Sequence, residues 1–130
     1  MKYLCDTCVL IDYLRGDDKV QKILSRDRVN GLGMSSITQM ELIVGAFNKR
    51  EVSMIKKAFS DFTIVEINTS VSRRAAQLIE QFSKSHGLMI PDALIAATAL
   101  EYNVPLYTSN VSDFKFIPEL TVMPKVNKKS

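Results

Sequence analysis

The chain has 130 residues, 46 % of them apolar and 24 % charged, with a formal net charge of +3. That length suits one domain able to bury roughly two thirds of its unfolded surface. The composition excludes a disordered or fibrous protein, and no apolar run approaches the ~18 residues of a membrane-spanning helix. The N-terminal residues lack the apolar region of a signal peptide, so the expected location is the cytoplasm.

Lys2–Asp6 reads as a buried strand and Thr7–Leu14 as a short helix that ends near Gly16. Asp17 or Asp18 caps a second helix through Arg26, with Val20, Ile23 and Leu24 on one face. A short strand is expected at Gly31–Met34. Ser36 is the expected N-cap of the next helix, with Gln39 completing a capping box, and the helix runs to about Phe47. Another helix follows from Glu51 to Phe59, then a β-branched strand at Thr63–Ile67. Ser70–His86 is a long amphipathic helix stopped by Gly87. Pro91 suits the first turn of a nearly all-apolar helix ending at Tyr102. Strands at Val104–Thr108 and Leu120–Met123 close the pattern. Single strands separated by helices require crossovers, hence a three-layer α/β/α fold around a mostly parallel sheet. One domain spans residues 1–125, and residues 126–130 form a flexible basic tail.

Four acids stand where such a fold does not ordinarily spend charge. Asp6 ends the first strand, Glu41 interrupts an apolar helix stripe, Asp92 opens the apolar helix, and Asp113 follows a late strand. No Lys or Arg adjoins any of them in sequence. Each has an ordinary reading taken singly. Asp6 can cap a helix, Glu41 can reach water past its stem, Asp92 can serve the helix dipole, and Asp113 can sit in a turn. Together they fall at strand ends or buried helix faces of one sheet, where α/β folds bind ligands.

Ionised carboxylates are costly to desolvate unless paired or bound to metal. An oxygen-only set suits Mg²⁺ or Mn²⁺. Such a cation polarises a phosphoryl oxygen, activates water and offsets charge on the leaving oxygen, which is the chemistry of phosphodiester hydrolysis. Thr7, Thr108, Ser109 and Asn110 offer neutral donors beside the acids. Without the four acids, ten remain against 17 bases, a basic body suited to a polyanion. His86, the only histidine, reads as a favourable charge at a helix C-terminus. Lys49, Arg50, Lys56 and Lys57 read as a solvated helix face, and the orientation of Asp12 is left open.

The stretches Leu4-Cys5-Asp6-Thr7, Ser35 to Leu42, Asp92 to Ala97 and Thr108 to Phe114 resemble the four acidic motifs of PIN-domain nucleases. They do so in order and spacing across residues 2–124. The length and helix pattern resemble the VapC toxins of bacterial and archaeal toxin–antitoxin pairs. The resemblance implies a Mg²⁺- or Mn²⁺-dependent endoribonuclease that cleaves RNA by metal-activated water. It also implies a homodimer held inactive by a cognate VapB-like antitoxin. It places catalytic and metal-binding roles on Asp6, Glu41, Asp92 and Asp113, and a supporting role on Thr7. Many relatives carry Asn where this chain has Cys8.

Three other readings compete. A PIN-like module without strong catalysis would bind RNA or protein only. An Asp-based phosphohydrolase would use Asp6 as phosphoacceptor, but commonly needs a second acid where Cys8 stands. The Cys5-x-x-Cys8 spacing is shared with redox sites, yet it leaves Glu41, Asp92 and Asp113 unexplained. Both cysteines are therefore expected to be reduced and chemically silent.

Overall fold

The computed structural model describes residues 1–124. The tail expected at residues 126–130 lies outside the described residues. Five strands alternate with six helices: β1 Tyr3–Cys5, α1 Thr7–Leu14, α2 Asp18–Asp27, β2 Leu32–Ser35, α3 Ser36–Val44, α4 Lys49–Ala58, β3 Thr63–Val65, α5 Thr69–His86, α6 Ile90–Glu101, β4 Leu106–Thr108 and β5 Val122–Pro124. Two short 3-10 turns, Arg28–Asn30 and Val111–Asp113, complete the described chain. The sheet order is β3-β2-β1-β4-β5 and every pair is parallel. The sheet is thus wholly rather than mostly parallel: helix-containing crossovers join β1 through β4, and the segment with the Val111–Asp113 turn brings β5 back beside β4 in the same direction.

Side chains alternate across each strand, so the sheet carries a core on each face. Leu4, Val65 and Leu106 face one side, where α5 and α6 contribute Val71, Leu78 and Ile95. Tyr3, Cys5, Leu32, Met34 and Tyr107 face the other, against Val9, Leu10, Val20 and Leu24 of α1 and α2. This gives the three layers. Buried small residues Ala93, Ala96, Ala97 and Ala99 let α6 lie close to its neighbours.

Several expected boundaries shift. The cap of α3 is Ser35, not Ser36: its hydroxyl accepts from the Ile37 N–H at 3.2 Å, and Ser36 is already helical. The expected capping box with Gln39 therefore does not form. The helix ends at Val44 with Gly45 as C-cap, short of Phe47. In α4, Asn48 accepts from Glu51 N–H at 2.9 Å, which starts the helix at Lys49 rather than Glu51. Ile67 and Val104, expected in strands, lie outside the ladder but still pack against the core. Gly87 ends α5 as expected, at φ +69°, a left-handed conformation that costs glycine no Cβ clash.

β1 lies between β2 and β4. The chain moves from β1 to β2 and β3 in one direction, then crosses to place β4 on the opposite side. That reversal opens a crevice beyond the carboxyl ends of β1 and β4, where doubly wound sheets bind ligands.

Candidate functional site

Asp6 follows β1 immediately and opens α1. It is 4 % exposed. Its Oδ1 accepts from Thr7 N–H at 2.8 Å, so it does cap the helix. Its Oδ2 turns instead to the neighbouring strand, where the Thr108 hydroxyl at the end of β4 donates to it at 2.7 Å. The Thr108 oxygen in turn accepts from Asn110 N–H at 2.9 Å. The register explains this meeting: Cys5 pairs with Tyr107, which brings the next residues, Asp6 and Thr108, side by side. Asn110 supports the site through its backbone N–H.

Glu41 reaches the same place from α3. The Thr7 hydroxyl donates to its Oε1 at 2.7 Å and lies 3.0 Å from Thr38 Oγ1. Thr38 is fully buried and was not anticipated from sequence. Its signal was available, because residues three apart share a helix face and Thr38 lies three before Glu41.

Asp92 sits in the first turn of α6, where the helix dipole alone would lower its pKa. The N-cap is Met89 and makes no side-chain cap bond, so Asp92 is not a cap. Its carboxyl is instead pushed up to about 6, first by burial and then by the charges of Asp6, Asp113 and Glu41. The four acids therefore share one electrostatic neighbourhood, although they lie on four elements spread across the chain. Asp113, on the exposed 3-10 turn, is the most open of them. Among the described residues none of the four is in an ion pair.

The donor set consists of carboxylate oxygens, which fits Mg²⁺ or Mn²⁺. Among the described residues no three acidic, cysteine or histidine side chains already close around a single point. An ion that takes one or two carboxylates directly and the others through water fits this looser ring, and Mg²⁺ usually binds that way.

Cys8 stands on the first turn of α1. Its Sγ lies 3.2 Å from Asp6 Oδ2 and accepts from the Ser109 hydroxyl at 3.0 Å. Burial, followed by the Asp6 charge, raises its pKa. Cys5 is fully buried and burial raises its pKa as well. Both are free thiols, and the upward shifts favour their protonated form. Beside the acids, a groove of about 580 Å³ lined by Ile11, Leu14, Glu41, Leu42, Met54 and Ile55 opens between α1, α3 and α4. Lys49, Arg50, Lys56 and Lys57 are exposed on α4, as expected of a solvated face.

Residues 3–119 match the family described as PIN domain. The chain is 30 % identical over 120 residues to Ribonuclease VapC19 of Mycobacterium tuberculosis, covering 90 % of this chain and 95 % of that one. It is 31 % identical over 131 residues to Ribonuclease VapC of Rickettsia bellii, covering 95 % and 96 %. Its fold superposes on a chain of a toxin–antitoxin complex from Klebsiella pneumoniae with a TM-score of 0.79, at 30 % identity over 96 % of this chain and 98 % of that one.

Proposed function

The chain belongs to the PIN-domain family, within its VapC group, and from that premise we propose that it is a divalent-cation-dependent endoribonuclease, the toxin of a toxin–antitoxin pair. The observation that carries the proposal is the meeting of Asp6 and Glu41 through Thr7 at the end of β1, with Asp92 near enough that burial and the charges of Asp6, Asp113 and Glu41 raise its pKa. Four unneutralised carboxylates in one crevice repel any phosphate that approaches, so RNA requires a counter-cation there. Asp6, Glu41 and Asp92 would hold Mg²⁺ or Mn²⁺, with Asp113 completing the ring. When bound, the cation supplies charge to the phosphoryl and leaving oxygens and acidity to water.

The remaining work falls to the protein. Thr7 N–H and the Thr108 hydroxyl fix both oxygens of Asp6, and the Thr7–Thr38 pair fixes Glu41. These carboxylates therefore keep their orientation, which is how a site avoids reorganising during reaction. Water is the attacking nucleophile in this reading, because the one histidine of the chain leaves no imidazole pair to activate a ribose 2′-hydroxyl.

The partner proposed is a VapB-like antitoxin. The apolar groove beginning at Glu41, flanked by Val44 and Phe47 at 85 % and 88 % exposure, offers it a surface beside the acids. Homodimerisation is proposed on family grounds. Among the described residues no helix is long and apolar enough to cross a membrane, and cytoplasmic residence remains part of the proposal.

The test is cleavage of single-stranded RNA with Mg²⁺ or Mn²⁺, with and without EDTA, followed by end-group analysis. The expected products carry 5′-phosphate and 3′-hydroxyl ends. Cleavage that persists in EDTA, or 2′,3′-cyclic phosphate ends, overturns the mechanism.

A further inference from the structure

His86 ends α5, and its ring lies parallel on Phe116, with centroids 4.3 Å apart and planes at 16°. Phe82, one turn earlier, meets the His86 ring at 5.6 Å and 74° and the Phe116 ring at 5.2 Å. Phe82 and Phe116 are half-buried and pack against the core under α5 and α6. His86 is exposed. Phe116 stacks on one of its faces and Phe82 approaches edge-on, while the residue as a whole stays exposed. Terminating α5 does not require this stack, since Gly87 already ends the helix in the left-handed conformation.

The location supplies a use. Phe116 is three residues beyond Asp113, a span of at most about 11 Å between their Cα atoms. Met89 and Ile90, each 67 % exposed, lead directly into Asp92. Lys84, two residues before His86, and Lys115, next to Phe116, are exposed. The exposed ring is thus followed along the chain by apolar Met89 and Ile90, has a lysine within two residues of His86 and another beside Phe116, and lies within a few residues of Asp92 and Asp113 in sequence. Single-stranded nucleic acid is bound by this combination: bases lie on ring faces while cations follow the phosphates.

We propose that His86, carried on Phe116 and Phe82, is a stacking platform for a nucleobase of single-stranded RNA flanking the phosphate that is cut. The proposal rests on the ribonuclease reading above. The base adds a further layer to a stack the fold has already ordered, so little side-chain freedom is lost on binding. Lys84 and Lys115 contact the adjoining phosphates. Stacking accepts any base, so the platform holds the strand in place and leaves sequence choice to other contacts.

The experiment uses the full chain silenced by Asp6→Asn and a single-stranded RNA carrying 2-aminopurine at successive positions. His86→Ala and His86→Tyr are compared in that background by affinity and fluorescence quenching. His86 is exposed, so neither change disturbs the core. His86→Ala is expected to weaken RNA binding by about 5- to 150-fold, the range for removing a stacking ring, and to abolish quenching at one position. His86→Tyr keeps both. Unchanged affinity and quenching in His86→Ala overturn the platform. So does a change of oligomeric state on sedimentation with RNA affinity intact, which assigns this face to contact between copies. Cleavage of the same RNA by the wild type with Mn²⁺ is measured in parallel. Cleavage together with unaltered binding by His86→Ala removes the platform alone, whereas no cleavage and no binding by the wild type removes the ribonuclease reading with it.

Discussion

At the start of β1, Asp27 is 2 % exposed and surrounded by donors. Lys2 Nζ lies 3.0 Å from Oδ1, Arg26 reaches both oxygens at 2.9 and 3.1 Å, and the Tyr3 hydroxyl donates at 2.7 Å. The Arg26 hydrogen bonds foremost hold its carboxyl far below the usual carboxylate range. At the other end of the same strand, the Asp92 carboxyl is pushed up to about 6 by burial and three other acids. One end supplies cations to a buried acid, and the other gathers acids and supplies neutral hydroxyls. The fold has the means to neutralise a buried carboxylate and does not use them at the carboxyl ends of its strands. That contrast separates an acid kept for stability from acids kept for a ligand.

The largest effect expected is on catalysis. Asp6→Asn, Glu41→Gln and Asp92→Asn should each reduce RNA cleavage by more than the ~10–100-fold that outer partners of a metal site cost. Combined, they should not multiply, because they act as a unit. Asp113→Asn should lose less, since it is the most exposed. Asp27→Ala should retain the specific activity of its folded fraction. Full activity in both Asp6→Asn and Asp92→Asn would dissolve the distinction.

Next comes folding stability. Asp27→Ala leaves the buried Tyr3 hydroxyl without its acceptor and removes three charged hydrogen bonds. Lys2 and Arg26 are 46 % and 70 % exposed, so their charges return to water. A loss of about 2–3 kcal/mol is expected, seen as a melting temperature lower by roughly 10 °C. A drop within a degree would show that the network is a surface feature.

The two acids should also respond oppositely to pH. Asp92 binds its proton more tightly folded, at about 6, than unfolded, near 3.9. Metal-free stability therefore falls as pH rises from ~4 to ~6, and the penalty is fully present above that window. Asp27 has its folded pKa depressed. Its contribution is full above ~4 and is lost as pH falls further. Asp92→Asn should raise metal-free stability by about 1–2 kcal/mol, a figure reduced for solvent screening, and should shrink the stabilisation by Mn²⁺. A less stable Asp92→Asn with an undiminished Mn²⁺ response would return Asp92 to a plain helix-terminus role.

The smallest effect concerns Cys8. Cys8→Ser should keep most activity, because a hydroxyl can also donate to Asp6 Oδ2, and reductant should change nothing. Activity that follows dithiothreitol on and off would give the thiol a chemical role.

Much of this was legible locally. The strand-to-helix step at Asp6–Thr7, the glycine stop of α5 and the apolar α6 follow from patterns within a few residues, and hydrophobic periodicity carries them. The four acids stood out because each interrupts an apolar helix or comes at the end of a buried-looking strand, without a charged neighbour in sequence. The exact cap of α3 was less legible, because Ser35 and Ser36 are chemically identical and only the backbone turn distinguishes them. Asp27 attracted no notice beside Arg26 and Arg28, in a stretch that reads as an ordinary charged helix end.

The sequence by itself determined the alternation of elements, the crossovers that make the sheet parallel, and which acids lack local partners, since these depend on neighbours along the chain. Only the tertiary structure decided which atoms meet. Thr108 reaches Asp6 across 102 positions through the β1–β4 register, Thr7 reaches Glu41 across α1 and α3, and Lys2 and Tyr3 close on Asp27. It also set the His86 ring on Phe116. The reason is physical: hydrogen bonds, ring contacts and charge repulsion act over a few ångströms in space. Which distant residues come that close is settled by how the layers pack.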